Sequence, residues 1–186
     1  VRFEVTPIND PPVAGTVDLS PMAEDSGPRT IPFAVLLAND VAGPANEGQE
    51  LTIIGVSNVV GGSIGMVGTD LIYTPGTNFN GVASFVYTVQ DNGTPPLSAQ
   101  AKVTFPIYEV NDPPLAASDN LTSVAEDSGE RIIPFVDLLN NDSPGPANES
   151  SQALTITAVS NAVGGTVSLS GQTVVSTPTA DFNGLA

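Results

Sequence analysis

The side chains best equipped for chemistry in this sequence are acids and amides, and they come in pairs at fixed places. Asn9-Asp10 precedes Pro11-Pro12, Glu24-Asp25 follows some fourteen residues later, Asn39-Asp40 comes after Leu36-Leu37, and Asp91-Asn92-Gly93 reads as a turn. The first three pairs return as Asn111-Asp112, Glu126-Asp127 and Asn141-Asp142. All offer oxygen at turns or strand ends, where side chains and backbone carbonyls can converge. The chain has no Cys and no His, which removes disulfides, thiolate metal sites, the commonest general base and the commonest transition-metal ligand. Hard oxygen donors without either select Ca2+ or, less well, Mg2+. Calcium takes several oxygens at once, so a site has to be assembled from more than one of these segments.

Catalysis is not expected. Asp25-Ser26-Gly27 and Asp127-Ser128-Gly129 copy the signature of aspartic proteases, whose two carboxylates share a proton. Here each Asp follows a Glu instead of an apolar strand, and the copies lie a domain length apart. No nucleophile–base pair or metal-bound water suggests itself elsewhere.

The elements that must position these groups are strands. Val, Ile and Thr are abundant, and Gly, Pro, Asn and Asp cut the chain into short runs, the composition of many strands joined by turns. No window has a helical period. Strands are expected at 29–33, 51–57, 70–74, 82–90 and 99–107, and the Gly-rich stretch 60–65 reads as a hairpin turn or bulge. With 20 acidic against 4 basic residues the net charge is −16, which repels phosphate backbones and anionic lipid heads and attracts cations. Nucleic acid is therefore not an expected partner. No apolar run is long enough to span a bilayer, so direct membrane insertion of this segment is not expected either.

The sequence also repeats itself. Residues 8–47 and 110–149 are identical at 24 of 40 positions, and Phe79-Asn80-Gly81 returns as Phe182-Asn183-Gly184. A repeat of about 100 residues is the size of a β-sandwich domain and too long for a solenoid unit. The expected fold is all-β: tandem seven-stranded Greek-key sandwiches. Residues 1–8 read as the last strand of a preceding repeat plus a linker, 9–110 as a complete repeat, and 111–186 as a second repeat lacking its last two strands. The chain reads as a window on a longer polypeptide, with strand donation by a neighbouring molecule as the alternative source of the missing strands.

The order of the acidic segments resembles that of cadherin-type repeats, and most of all the cadherin-like tandem repeats of large bacterial surface adhesins and RTX-type repeat proteins. The resemblance implies an extracellular or cell-surface spacer whose repeats are stiffened by Ca2+ at their junctions. It assigns Glu24, Asp25, Asp91, Asn111, Asp112, Asn141, Asp142 and Asn148 to the junction of the two repeats. Asn9, Asp10, Asn39, Asp40 and Asn46 fall to the preceding junction, and Glu126 and Asp127 to the following one. The departures are a missing full Asp-x-Asp, Gly93 where a late-loop Glu would stand, and Pro-Pro after the linker acid. They imply fewer or weaker ions per junction. The implied partners are neighbouring repeats of the same polypeptide. A filament of identical chains and an accessory module of an exported enzyme are the other readings.

Overall fold

The computed structural model describes residues 1–6 and 8–186 and divides them into two compact units, Val1–Val110 and Asn111–Ala186. Each is built on β-strands, with one short α-helical turn and one 3-10 turn.

In the first unit, residues 1–6 have no regular structure and are exposed. The elements that follow are β1 (Val17–Asp18), β2 (Met22–Ala23), β3 (Arg29–Pro32), α1 (Phe33–Leu36), β4 (Leu51–Val60), β5 (Gly62–Val67), β6 (Asp70–Pro75), β7 (Gly81–Asp91) and β8 (Ser98–Tyr108). One sheet has the order β1-β8-β7-β4, with β2 also on β8, and the other β3-β6-β5. β1 and β2 run parallel to β8, and the β7–β8, β4–β7, β3–β6 and β5–β6 pairs are antiparallel. The five expected strands are all present, each within a few residues of its sequence limits. The stretch 60–65 is divided between the end of β4, a turn at Gly61 (φ +82°) and the start of β5.

The core follows from alternation. Along β7, Ala83, Phe85, Tyr87 and Val89 are buried, and along β8 Ala101, Val103, Phe105 and Ile107 are, so every second residue faces the other sheet. That sheet contributes Ile31, Leu71 and Tyr73. The Tyr73 and Phe105 rings meet edge to face across the layer at 4.9 Å. The helical turn α1 escaped the sequence reading because four residues are too few to show a period. Pro32 has an extended conformation at its N-cap, and Phe33 and Leu36, three apart, drop into the same core.

The second unit repeats the plan with β9 (Arg131–Pro134), α2 (Phe135–Leu139), β10 (Gly165–Ser170) and β11 (Thr173–Pro178), in the sheet order β10-β11-β9. Its buried apolar residues are Ile133, Phe135 and Val174. Residues 154–162, which match β4 in sequence, carry no ladder.

Candidate functional site

The polar groups cluster at the two ends of the first unit. At the end where the chain enters, the Asn9 side-chain amide donates to the Pro95 carbonyl at 2.8 Å and to both oxygens of Asp91 at 3.3 Å, and its own carbonyl accepts from the Gln49 side chain. Asp91 is 3 % exposed and its Oδ1 also accepts the amides of Leu97 at 2.8 Å and Gly93 at 3.1 Å. Burial pushes its carboxyl up, but the Leu97, Gly93 and Asn9 donors more than reverse this and hold it below the ordinary carboxylate range. Beside it the Asp10 amide donates to Glu47 Oε1 at 3.0 Å.

The opposite end belongs to Glu24. It is 1 % exposed, its amide donates to the Tyr108 carbonyl at 3.0 Å, and its Oε1 accepts the amide of Val110 at 2.9 Å. The sequence placed Asp91 with Glu24 at one junction, and the topology overturns that. Gly81, the first residue of β7, pairs with Ile107, and Ile107 pairs with Met22 close to Glu24. Asp91 is the last residue of the same eleven-residue strand, so the two carboxylates lie about 30 Å apart at ~3.3 Å per residue. Asp91 thus joins Asn9 and Asp10, and the grouping in sequence order failed because β7 runs from one end of the unit to the other and carries its late loop away from Glu24.

The Asn-Asp pairs after Leu-Leu act as clasps. Asp40 Oδ1 accepts the Gly15 amide at 2.7 Å and lies 2.9 Å from the Tyr87 hydroxyl, while the Asn39 side chain donates to the Thr16 carbonyl at 2.9 Å. In the second unit Asp142 Oδ1 accepts the Ala117 amide at 2.8 Å and Asn141 donates to the Ser118 carbonyl at 3.2 Å. Both pairs hold the segment just after the linker against the body of the unit. Burial raises the Tyr87 hydroxyl well above its ordinary value, and the hydrogen bond to the Asp40 carboxylate and its charge raise it further.

Asp25 and Asp127 adopt left-handed conformations (φ 55° and 57°) in turns, and each offers Oδ1 to a backbone amide, of Asn78 at 3.4 Å and of Asp181 at 3.3 Å. These contacts make the Asp-Ser-Gly copies turn fasteners. Glu126 is exposed, unlike Glu24, Asn46 sits exposed in a turn, and Asn148 is half-buried in the 3-10 turn Ala147–Glu149.

One carboxylate that the sequence reading passed over stands out. Glu149 is wholly buried, and its Oε1 accepts the amide of Asp112 at 2.6 Å, repeating the Glu47–Asp10 contact in the second unit. Gln152 likewise donates to Asn111 Oδ1 at 2.9 Å, as Gln49 does to Asn9. A signal was there: Asp10 to Glu47 and Asp112 to Glu149 are both 37 residues apart. In a loop of Gly, Pro, Ala and Asn, a Glu reads as solvated, and the spacing alone does not say that it turns inward.

The described donors suit a hard cation within limits. Among the described residues no group of three acidic side chains comes together that could hold a metal ion. Asp91 and Asp40 already accept several hydrogen bonds each.

A family model for the cadherin-like domain matches residues 8–106, and one for a bacterial Ig domain matches residues 111–186. A search of curated protein sequences returns no match. Among solved structures, protocadherin gammaB7 EC3-6 is similar over 91 % of this chain and 39 % of its own, with 14 % identity and a TM-score of 0.39. A nucleoside hydrolase-related hypothetical protein from Saccharophagus degradans, associated with carbohydrate metabolism, is similar over 54 % of this chain and 26 % of its own, with 18 % identity and a TM-score of 0.37. An endo-fucoidan hydrolase of glycoside hydrolase family 107 is similar over 96 % of this chain and 26 % of its own, with 16 % identity and a TM-score of 0.35. The chain thus spans between a quarter and two-fifths of the length of these proteins.

Proposed function

This chain belongs to the cadherin-like domain family, and from that premise we propose that it is a stretch of spacer repeats from an extracellular or cell-surface adhesin, stiffened by calcium bound near its linkers. The family and the bacterial Ig match fit a surface- or adhesin-type repeat module. No helix among the described residues is long and apolar enough to cross a membrane.

The observation that carries the reading is how the linker is held. In each unit the same pair, Asn-Asp, enters the fold with the Asp amide on a glutamate carboxylate, and Val110, one residue before the second pair, has its amide on the buried Glu24. Acidic oxygens therefore lie where the chain enters each unit and where it leaves the first, in a molecule of net charge −16. Residues that would hold a calcium ion are Asp10 at the entry of the first unit, Glu24 at its exit, and Asp112 at the entry of the second. A bound calcium ion supplies positive charge to a strongly acidic segment, and protein carbonyls and water complete its shell. With so few carboxylates at each place, affinity is expected at about 10⁻⁴–10⁻³ M, the range of extracellular calcium modules.

Calorimetric titration of the whole chain with CaCl2, with MgCl2 as the comparison, tests this. Saturable calcium binding in the millimolar range or tighter, with a rise in thermal midpoint, is expected. Asp112→Ala should weaken the binding. A flat titration up to 10-fold above ~1 mM would remove calcium from the account and leave a passive acidic spacer.

A further inference from the structure

We infer that the glutamate of the Gly-Pro-Ala-Asn-Glu loop, Glu47 in the first unit and Glu149 in the second, is itself a divalent-cation ligand that coordinates through Oε2. This deepens the calcium reading and rests on it. The two oxygens of each carboxylate have different fates. Oε1 is committed to the amide of the linker Asp, at 3.0 Å in the first unit and 2.6 Å in the second. Oε2 is buried in both units and has no hydrogen-bond partner among the described residues. A buried carboxylate oxygen without a donor is costly, and its occurrence at the same place in two copies points to a partner that is neither an amide nor a hydroxyl. Glu149 is 0 % exposed, so bulk solvent does not hydrate that oxygen.

A glycine beneath each carboxylate makes room for it. Oε2 lies over a glycine in each copy, Gly43 at φ +143° and Gly145 at φ +152°, conformations that side chains rarely adopt. A Cβ at Gly43 would stand 2.6 Å from Glu47 Oε2 and 3.5 Å from the carbonyl oxygen of Asp10, so the missing side chain is what lets these two oxygens approach the same place. At Gly145 a Cβ would collide with Glu149 Oε2. A carboxylate oxygen and a backbone carbonyl approaching the same place are hard donors of the kind that Ca2+ takes. The site is local to the entry of each unit, so the chain carries two of them.

The test is calorimetry with CaCl2 on the full chain, comparing wild type with Glu47→Gln, Glu149→Gln and the double variant. Gln keeps an oxygen for the Asp10 or Asp112 amide but removes the charge. Each single variant is expected to lose one bound ion per chain, or to weaken one site at least about tenfold, and the double variant to lose both. Thermal unfolding in chelator should be the same for all four proteins, which separates loss of a ligand from loss of the fold. Should Glu149→Gln fail to fold, Glu47→Gln in the first unit carries the comparison alone. Wild-type binding that persists unchanged in the double variant overturns this inference and leaves the calcium reading standing. No binding by wild type overturns both.

Discussion

Tyr87 shows how much one residue can hold. Its ring is buried in the core and its hydroxyl lies 2.9 Å from Asp40 Oδ1 and 3.1 Å from the Gly15 carbonyl oxygen, tying three separate segments together. Tyr87→Phe keeps the ring and removes that tie, so it should cost about 1–3 kcal/mol in urea unfolding. The same group gives the alkaline limb of stability. Its folded value lies above its ordinary value of 10.0, so on raising the pH the unfolded chain loses its proton first. Its contribution is therefore complete below pH ~10 and fades above it. Asp91 acts in the opposite sense: its folded value is lowered, so its contribution is present above about pH 4 and is lost as the pH falls through the lower folded value. Urea midpoints measured between pH 2 and 11 should fall at both ends, with the acid fall shallower in Asp91→Asn and the alkaline fall shallower in Tyr87→Phe.

At the scale of elements, β5 offers a controlled comparison. A Cβ at Gly62 would collide with the Thr74 carbonyl oxygen and stand 2.8 Å from the Tyr73 hydroxyl, whereas at Gly65 of the same strand nothing lies within 4 Å. Gly62→Ala is expected to destabilise by about 1–3 kcal/mol and Gly65→Ala to be neutral or slightly stabilising, as read by thermal unfolding. Such elements were largely legible in the sequence. Alternation in 82–90 announces β7, because a strand with one buried face leaves a period of two. What did not show was anything depending on which strands become neighbours. Asp91 was visible as a turn acid, but its end of the sandwich is decided by β7 running antiparallel to β8, a long-range fact. Glu47 and Glu149 were hidden for a related reason: burial of a loop side chain is set by the linker that docks on it.

For the whole molecule, the repeat is its plainest sequence feature, and it carries over into three dimensions in the contacts that hold each linker. The Asp–Glu, Asn–Gln and Asx–backbone contacts of the first unit recur in the second with their spacings kept or shifted by one residue. A further consequence lies in the direction of β1 and β2, which lead into the first unit and run parallel to β8, which leads out of it. A chain pulled at both ends drags these neighbours in opposite senses along their length. Their ladder bonds are then loaded together in shear, where an antiparallel pair pulled from one end would unzip bond by bond. For a spacer under tension, holding time is set by the rate of that shared rupture more than by equilibrium stability. The fold is in this sense a mechanical clamp, closed by the first few paired residues of the unit.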